Sequence, residues 1–304
     1  MDVSELVKTE CKMPDSRYAG LWNSIVVDLS IKDRLLRSAA LSLRLRADLP
    51  FEATALHGLT ILYGPPGTGK TTLARGLAHQ LAPLTTQRSA RLIEINPHGL
   101  MSAEHGQSQR RVTELLTDYV PSLVDDGVPT VVLLDEVESM VVARSQASLA
   151  ANPADVHRAT DAVLTAIDSS ASSLPHLLFV ATTNFTGAID EAFLSRADVA
   201  ICVPTPDAAG VLAILKTTLN AMSESFTPLA QLARNPALEQ VASALAGMDG
   251  RRIRKTISEA MLGRIETVIE PGVLTIDDLL SAVQRVRQSA HITQSNSGGR
   301  NGAH

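Results

Sequence analysis

The chain is poor in cysteine and in aromatic residues. Its 304 residues include 2 cysteines, Cys11 and Cys202, and aromatic side chains make up 3% of the total. Two separated cysteines without a C-x-x-C pair argue against a disulfide scaffold and a zinc–cysteine site, and they favour a reducing compartment. Because aromatic residues are scarce while 45% of the chain is hydrophobic, the core is expected to be aliphatic.

The chain also lacks a basic excess and a long apolar segment. Its formal net charge is −5, whereas proteins that mainly hold nucleic acid usually carry an excess of positive charge. The amino terminus has no apolar signal segment, and no apolar run approaches the length of a membrane span. We therefore expect a soluble, cytoplasmic protein with no membrane partner, and we regard a nucleic-acid partner as disfavoured.

Apolar runs alternate with helical patterns over the first two thirds of the chain. The runs that predict strands lie at residues 58–63, 91–95, 130–134, 177–183 and 199–203. The predicted helices between them lie at residues 71–82, 107–118, 137–143, 156–168 and 189–194. This alternation is typical of an α/β fold with a doubly wound parallel sheet.

We predict four segments with different organisation. Residues 1–20 are a polar amino-terminal extension that is partly ordered at best, and residues 21–205 form the large α/β domain. Residues 206–291 form a small helical domain, with helices at about 207–222, 236–246, 251–266 and 276–288. Residues 292–304 are rich in Gly, Ser and Asn and are expected to be a flexible tail.

A glycine-rich run after the first predicted strand is the strongest functional motif. It reads Gly64-Pro65-Pro66-Gly67-Thr68-Gly69-Lys70-Thr71 and fits the P-loop pattern G-x-x-x-x-G-K-[ST]. Backbone N–H groups of such a loop wrap a phosphate, and the positive end of the following helix adds to the attraction. Lys70 can reach the β- and γ-phosphates of a nucleotide, and the Thr71 hydroxyl can bind Mg²⁺. We include Thr72 in the nucleotide-binding set.

Polar residues follow two more predicted strands. Asp135 and Glu136 come after the strand at 130–134, and Asn184 comes after the strand at 177–183. Ligands bind at the carboxyl ends of parallel strands, so Asp135 is predicted beside the phosphates, where it can hold Mg²⁺ through water. Glu136 is placed to polarise the attacking water, and this second acid favours an ATP-hydrolysing machine over a signalling GTPase. The Asn184 amide can position the water or touch the γ-phosphate.

These motifs, in this order, resemble those of the AAA+ ATPases over roughly residues 20–290. The resemblance implies a five-stranded parallel sheet in the order 5-1-4-3-2 with a small helical lid. It also implies a ring, usually a homo-hexamer, with ATP and Mg²⁺ at each subunit boundary. Arg196 lies where the family carries its arginine finger, and Arg158 resembles a second arginine of the ring interface.

Two further assignments concern the nucleotide. Arg251 begins a predicted helix and resembles the lid arginine that touches the γ-phosphate and couples the lid angle to the nucleotide state. A solvated basic face, shared with Arg254 and Lys255 by helical spacing, is the alternative explanation of this arginine. Ile25 and Val26 are assigned to contact the adenine.

Several segments resemble a narrower family, the pachytene checkpoint ATPases, also called thyroid-receptor-interactor ATPases. The segments are 92–100, 134–140 with 143–144, 162–168 and 195–198. Members of this family convert HORMA-domain proteins from a closed, partner-clasping state to an open one. Bacterial members accompany HORMA proteins and a cyclic-nucleotide synthase in anti-phage signalling. The resemblance therefore implies a HORMA-domain substrate and a role of this kind.

The chain departs from that family in two places. Eukaryotic members carry an adaptor-binding domain ahead of the ATPase body, where this chain has only residues 1–20, which fits a bacterial member that meets its HORMA partner directly. The predicted pore loop, with Met101, Glu104 and His105, lacks the aromatic residue that the family uses to grip substrate. Met101 offers an adaptable apolar contact and His105 a short polar one, so we expect a remodeller specific for its partner.

Two other classes of function are compatible with the motifs. The first is a nucleic-acid-acting AAA+ ATPase of the clamp-loader or initiator type, which the acidic composition disfavours. The second is a nucleotide-dependent binding module that hydrolyses slowly, which the presence of both Glu136 and Arg196 disfavours.

Overall fold

The computed structural model of the protein describes residues 3–96, 107–124, 126–142, 153–184, 187 and 189–298. The chain divides into two compact units, Met1–Pro204 and Thr205–His304. A search of the described helices finds none with the length and apolar character needed to cross a bilayer. The predicted pore-loop residues Met101, Glu104 and His105 lie outside the described residues, so their role stays a prediction.

The first unit is built on one mixed sheet. Its described strands are β1 (Val7–Met13), β2 (Leu59–Tyr63), β3 (Ala90–Ile95), β4 (Thr130–Leu134), β5 (Leu177–Thr183) and β6 (Val199–Cys202). Its described helices are α1 (Ser16–Ala19), α2 (Leu21–Ser24), α3 (Leu29–Asp48), α4 (Phe51–Thr54), α5 (Lys70–Leu81), α6 (Gln107–Thr113), α7 (Val120–Leu123), α8 (Pro153–Ser173) and α9 (Glu191–Leu194). A π-helical segment, Glu114–Tyr119, joins α6 to α7.

The strand order is β1-β3-β4-β5-β2-β6. Strands β2 to β6 are parallel, and numbered among themselves they run 5-1-4-3-2, so the predicted α/β class and the implied order of these strands are confirmed. The order places β5 between β4 and β2, with Leu134 beside Ala181 and Leu62 beside Thr182. The strands that carry the predicted motifs are therefore direct neighbours.

A sixth strand corrects the prediction for the amino-terminal extension. Val7–Met13 forms β1, which pairs antiparallel with β3, and Cys11 lies opposite Leu92. Alternate residues of β1, among them Lys8 and Lys12, are exposed, as expected for a strand at the edge of a sheet. The segment looks polar because only one of its faces is buried, and its partner strand lies more than seventy residues further along the chain.

Helices cover both faces of the sheet, which explains why its parallel strands are almost wholly apolar. On one face, Leu62 packs in a cluster with Leu35 of α3 and Leu73 of α5. On the other face, Val132 packs in a cluster with Val163 of α8. Most of these buried side chains are aliphatic, as the composition predicts.

The helix predicted at 137–143 is wrong in its described part. Only a short 3₁₀ turn, Val137–Ser139, follows β4, and Val142 makes an isolated antiparallel bridge with Ile189. The backbone of Glu136 is left-handed, with φ of 51° and ψ of 52°, so the chain turns sharply after the strand and does not enter a regular helix.

The second unit, described by itself, is helical. Its helices are α10 (Ala208–Met222), α11 (Leu229–Arg234), α12 (Leu238–Ala244), α13 (Gly250–Met261), α14 (Ile265–Ile269) and α15 (Ile276–Gly298). The sequence predicts neither α11 nor the break between α13 and α14. The helix α15 continues to Gly298 and corrects the flexible tail predicted from residue 292. Extending an existing helix avoids the cost of nucleation, so helix can continue into a segment of weak helix formers.

A buried carboxylate links β1 to β3 and to the helix that follows the P-loop. Glu94 on β3 is 2% exposed. Its carboxylate accepts a hydrogen bond from Lys8 Nζ at 2.8 Å and two from Arg75 of α5, at 2.8 Å from Nε and 2.6 Å from Nη2. Burial alone raises the pKa of Glu94, but the hydrogen bonds from Arg75 and Lys8 outweigh burial and hold the pKa below its usual range.

We expect Glu94→Gln to lower the free energy of unfolding at neutral pH by about 1.5–3 kcal/mol, the usual worth of hydrogen bonds to a charged group. The pKa of Glu94 is depressed in the folded state, so its contribution is present above the ordinary carboxylate pKa and is lost as the pH falls through the folded-state pKa. Urea unfolding of both proteins across this pH range measures the effect.

The stability difference between wild type and Glu94→Gln should therefore shrink in acid. Glu52→Gln, an exposed acid on α4, serves as the control and should change stability little at any pH. A difference that does not depend on pH, or equal effects of the two variants, would contradict the role assigned to Glu94.

Candidate nucleotide-binding site

The P-loop follows β2 at the carboxyl edge of the parallel strands. Gly64 has φ of 144°, and a Cβ atom there would lie 2.3 Å from the carbonyl oxygen of Val203, so only glycine fits beside the end of β6. Gly69 has φ of 98° at the start of α5, and a Cβ atom there would lie 2.5 Å from Cδ1 of Ile25. These close approaches shape the loop ahead of the helix N-terminus, where the first N–H groups have no acceptor within the helix and can bind an anion.

Lys70 points its ammonium group into this loop. The residue is 6% exposed. Its Nζ donates to the carbonyl oxygens of Gly64 at 2.8 Å and Pro65 at 2.9 Å, and to Oδ1 of Asn184 at 2.9 Å. An ammonium group has three donors, so these acceptors define its position. The structure thus brings Lys70 and Asn184, which belong to different motifs, into direct contact.

Asp135 joins the P-loop helix to the ends of β4 and β5. Its Oδ1 accepts hydrogen bonds from Oγ1 of Thr71 at 2.6 Å and from Oγ1 of Thr182 at 2.5 Å. Thr71 and Asp135, the two residues predicted to hold Mg²⁺, are therefore adjacent. A hydroxyl and a carboxylate supply the oxygen ligands that Mg²⁺ takes in nucleotide sites, so the residues present fit such an ion.

Glu136 stands at the same edge with an exposed side chain. Its left-handed backbone is uncommon for a residue other than glycine and costs of order 1–3 kcal/mol. The N–H of Glu136 donates to Oγ1 of Thr182 at 3.0 Å. Thr182 therefore contacts both acids of the predicted hydrolytic pair, whereas the sequence pattern at the end of β5 predicts a role only for Asn184.

A third acid, Glu138, orients Asn184. Its Oε1 accepts hydrogen bonds from the Asn184 backbone N–H at 3.2 Å and from Nδ2 at 3.3 Å. Because a carboxylate only accepts here and the Lys70 ammonium only donates, both neighbours favour the same orientation of the Asn184 amide. In the sequence, Glu138 is one residue of the segment 134–140 that resembles the narrower family, and the sequence predicts no separate role for it. Its contact with Asn184 exists because β4 and β5 are neighbours.

Arg196 lies at the opposite edge of the sheet from the P-loop. It precedes β6, whose Val199 pairs with Thr60 near the start of β2. Its Nε and Nη2 donate to the two carboxylate oxygens of Asp168 on α8, at 2.6 Å and 2.8 Å. These hydrogen bonds hold the pKa of Asp168 below its usual range. A strand of 5 residues such as β2 spans about 17 Å, which separates Arg196 from the P-loop of its own chain.

The other predicted site residues have varied environments. Ile25 is buried against the P-loop, whereas Val26 and Thr72 are half-buried. Arg158 is exposed on α8. Arg251 is the second residue of α13 in the second unit and is exposed. A positive charge in the first turn interacts unfavourably with the helix dipole, so Arg251 does not stabilise this helix through its charge.

The fold and this cluster together define a P-loop nucleotide-binding protein. A P-loop follows β2, an acid pair follows β4 and an asparagine follows β5, all at the carboxyl edge of neighbouring parallel strands. The family described as ATPase family associated with various cellular activities (AAA) matches residues 60–205.

Two similar proteins define the family of this P-loop protein more closely. CD-NTase-associated protein 6 of Pseudomonas aeruginosa is 43% identical over 277 residues, which cover 91% of each chain. The Pachytene checkpoint protein 2 homolog of Danio rerio is 30% identical and is matched over 91% of this chain and 71% of its own length. The protein therefore belongs to the AAA family of ATPases, in the group that contains these two relatives, and the predicted family is confirmed.

Two solved structures share the fold. "Structure of C. elegans PCH-2" has a TM-score of 0.74 at 24% identity and covers 92% of this chain and 75% of that one. "Structure of E. coli MS115-1 HORMA:CdnC:Trip13 complex" has a TM-score of 0.75 at 20% identity and covers 93% of this chain and 96% of that one. At these identities the likeness concerns the fold alone.

Proposed function

We propose that the protein is an ATP-hydrolysing ring remodeller that opens a HORMA-domain protein and releases it from its partner in bacterial anti-phage signalling. Three contacts support the ATPase part of this proposal: Lys70 with Asn184, Thr71 with Asp135, and Asn184 with Glu138. The relatives support the substrate, because one is named for its association with a CD-NTase and a protein of the same fold is found with a HORMA protein.

Each residue of the cluster has a task in the proposed ATPase cycle. The N–H groups of the P-loop and the Lys70 ammonium bind the phosphates of ATP, and Glu136 polarises the attacking water. Thr71 and Asp135 are the residues that would hold Mg²⁺. The ion neutralises phosphate charge when bound. Asn184, oriented by Glu138, presents its amide towards the γ-phosphate and the water.

In a ring, the arginine of a neighbouring copy supplies further positive charge at the nucleotide. Arg196 lies at the sheet edge away from its own P-loop, so its guanidinium is available only to the nucleotide of a neighbouring copy. We infer a homo-hexamer in which Arg196 acts in trans and exchanges Asp168 for the γ-phosphate. Arg158 joins the same boundary, and Arg251 senses the γ-phosphate. In this arrangement ATP hydrolysis changes the contacts between neighbours, and that change acts on the bound HORMA protein.

We expect Glu136→Gln to bind ATP but to reduce turnover by about 100-fold or more, because the water loses its base while the phosphate contacts remain. The same variant should retain a HORMA-domain protein on the ring. The measurements are phosphate release and release of a closed HORMA protein from its bound peptide, in one preparation.

Glu52→Gln, an exposed acid on α4, is the matched control and should behave as wild type. Equal turnover in Glu136→Gln and wild type would refute the hydrolytic role. Turnover that rises with DNA and not with the HORMA protein would favour the clamp-loader or initiator alternative.

We expect Arg196→Ala to bind ATP normally and to lose turnover, since arginine fingers contribute roughly 10³–10⁵ in rate. Rings mixed from Arg196→Ala and Glu136→Gln subunits should regain part of the activity. In such rings an intact Glu136 can meet an intact Arg196 across a boundary.

The control is that each variant alone stays inactive and that mass analysis shows both subunits in one ring. Mixed rings without any recovered turnover would show that Arg196 does not act in trans.

A further inference from the structure

Thr182 is a buried threonine at the end of β5, and it is 1% exposed. Its hydroxyl lies between the two acids that follow the neighbouring strand β4. The hydroxyl makes a 2.5 Å contact with Oδ1 of Asp135 and a 3.0 Å contact with the backbone nitrogen of Glu136. A single hydroxyl group therefore contacts both the side-chain carboxylate of Asp135 and the backbone of Glu136.

The directions of these two hydrogen bonds follow from the groups involved. The Glu136 N–H can only donate, so the Thr182 oxygen accepts from it. The single hydroxyl proton then remains for Oδ1 of Asp135, where a carboxylate oxygen accepts. Valine, which matches threonine in size, offers neither a donor nor an acceptor at this position, so the bridge depends on the hydroxyl.

The bridge acts on a strained residue. Glu136 has φ of 51° and ψ of 52°, a conformation that persists only where surrounding contacts determine it. This conformation sets the direction in which the Glu136 side chain leaves the backbone. Loss of the Thr182 hydroxyl would take from the Glu136 N–H the acceptor at 3.0 Å and would thereby remove one of the contacts that hold this conformation.

We propose that Thr182 is a positioning residue of the hydrolytic site, which fixes the backbone of Glu136 and the carboxylate of Asp135 through one hydroxyl. This inference rests on the proposed ATPase function. Thr182 itself does not touch the reacting atoms. Its effect on the rate passes through Glu136 and its effect on Mg²⁺ passes through Asp135, whereas a merely structural threonine would affect only stability.

The test compares pairs of variants that differ in the hydroxyl. Thr182→Val replaces the hydroxyl by a methyl group of similar size, and Thr182→Ser and Thr182→Ala form a second pair that isolates the same group. Thr130→Val is the matched control. Thr130 begins β4 and is also 1% exposed. Its substitution by valine removes one hydrogen bond, from the Thr130 hydroxyl to the Val128 carbonyl oxygen. Steady-state ATP turnover, its Mg²⁺ dependence and thermal unfolding are measured for each.

We expect Thr182→Val and Thr182→Ala to lower kcat by about 10- to 100-fold, the effect of losing one hydrogen bond to a charged or strained group. They should also raise the Mg²⁺ concentration that gives half-maximal turnover, while KM for ATP changes little. Thr182→Ser and Thr130→Val should stay close to wild type. The effect of Thr182→Val should also shrink when Glu136→Gln is already present.

Three results would overturn the proposal. They are wild-type kcat in the variants without the hydroxyl, a Thr182→Ser variant no better than Thr182→Ala, and an undiminished effect on the Glu136→Gln background. If Thr182→Val does not fold, the comparison of serine with alanine still decides. A wild-type protein that does not hydrolyse ATP would remove the proposed function and this inference together, whereas active wild type with equally active variants would remove this inference alone.

Discussion

The arrangement of side chains at the candidate nucleotide site depends on one carboxylate oxygen. Oδ1 of Asp135 accepts the hydroxyl protons of Thr71, from the start of α5, and Thr182, from the end of β5. Three elements that are far apart in the sequence therefore meet at one atom. The approach of Lys70 to Asn184 and the placement of Glu136 both depend on this junction, because each belongs to an element that the junction holds.

The sheet separates the two halves of the proposed reaction. The residues proposed to bind phosphate and activate water lie at the carboxyl edge of the parallel strands. Arg196 and its partner Asp168 lie at the amino edge. In the proposed reaction a single copy would hold the phosphate site at one end of the strands and the arginine at the other, and an assembly of copies would bring the two together. This separation gives a physical reason for hydrolysis to depend on the neighbouring subunit.

Much of the fold could be predicted because its parallel strands are continuous apolar runs, each ending at a motif. The P-loop, Asp135, Glu136 and Asn184 were recognised in this way, and the structure brings them together. The strand β1 was missed because its pattern is half polar and its partner lies far along the chain. The helix predicted after β4 failed because the left-handed Glu136 turns the chain. Thr182 and Glu138 could not be found from the sequence, because their contacts exist only once β5 lies beside β4.

The most direct test of this account compares the Mg²⁺ dependence of ATP turnover in wild type and in Asp135→Asn. Asp126→Asn serves as the control, because Asp126 pairs with Arg91 away from the P-loop. If the Asp135 carboxylate joins the P-loop helix to the ion, Asp135→Asn should need about 10- to 100-fold more Mg²⁺ for half-maximal turnover, the usual effect of losing an outer contact to a metal. An unchanged Mg²⁺ requirement in Asp135→Asn would contradict the account.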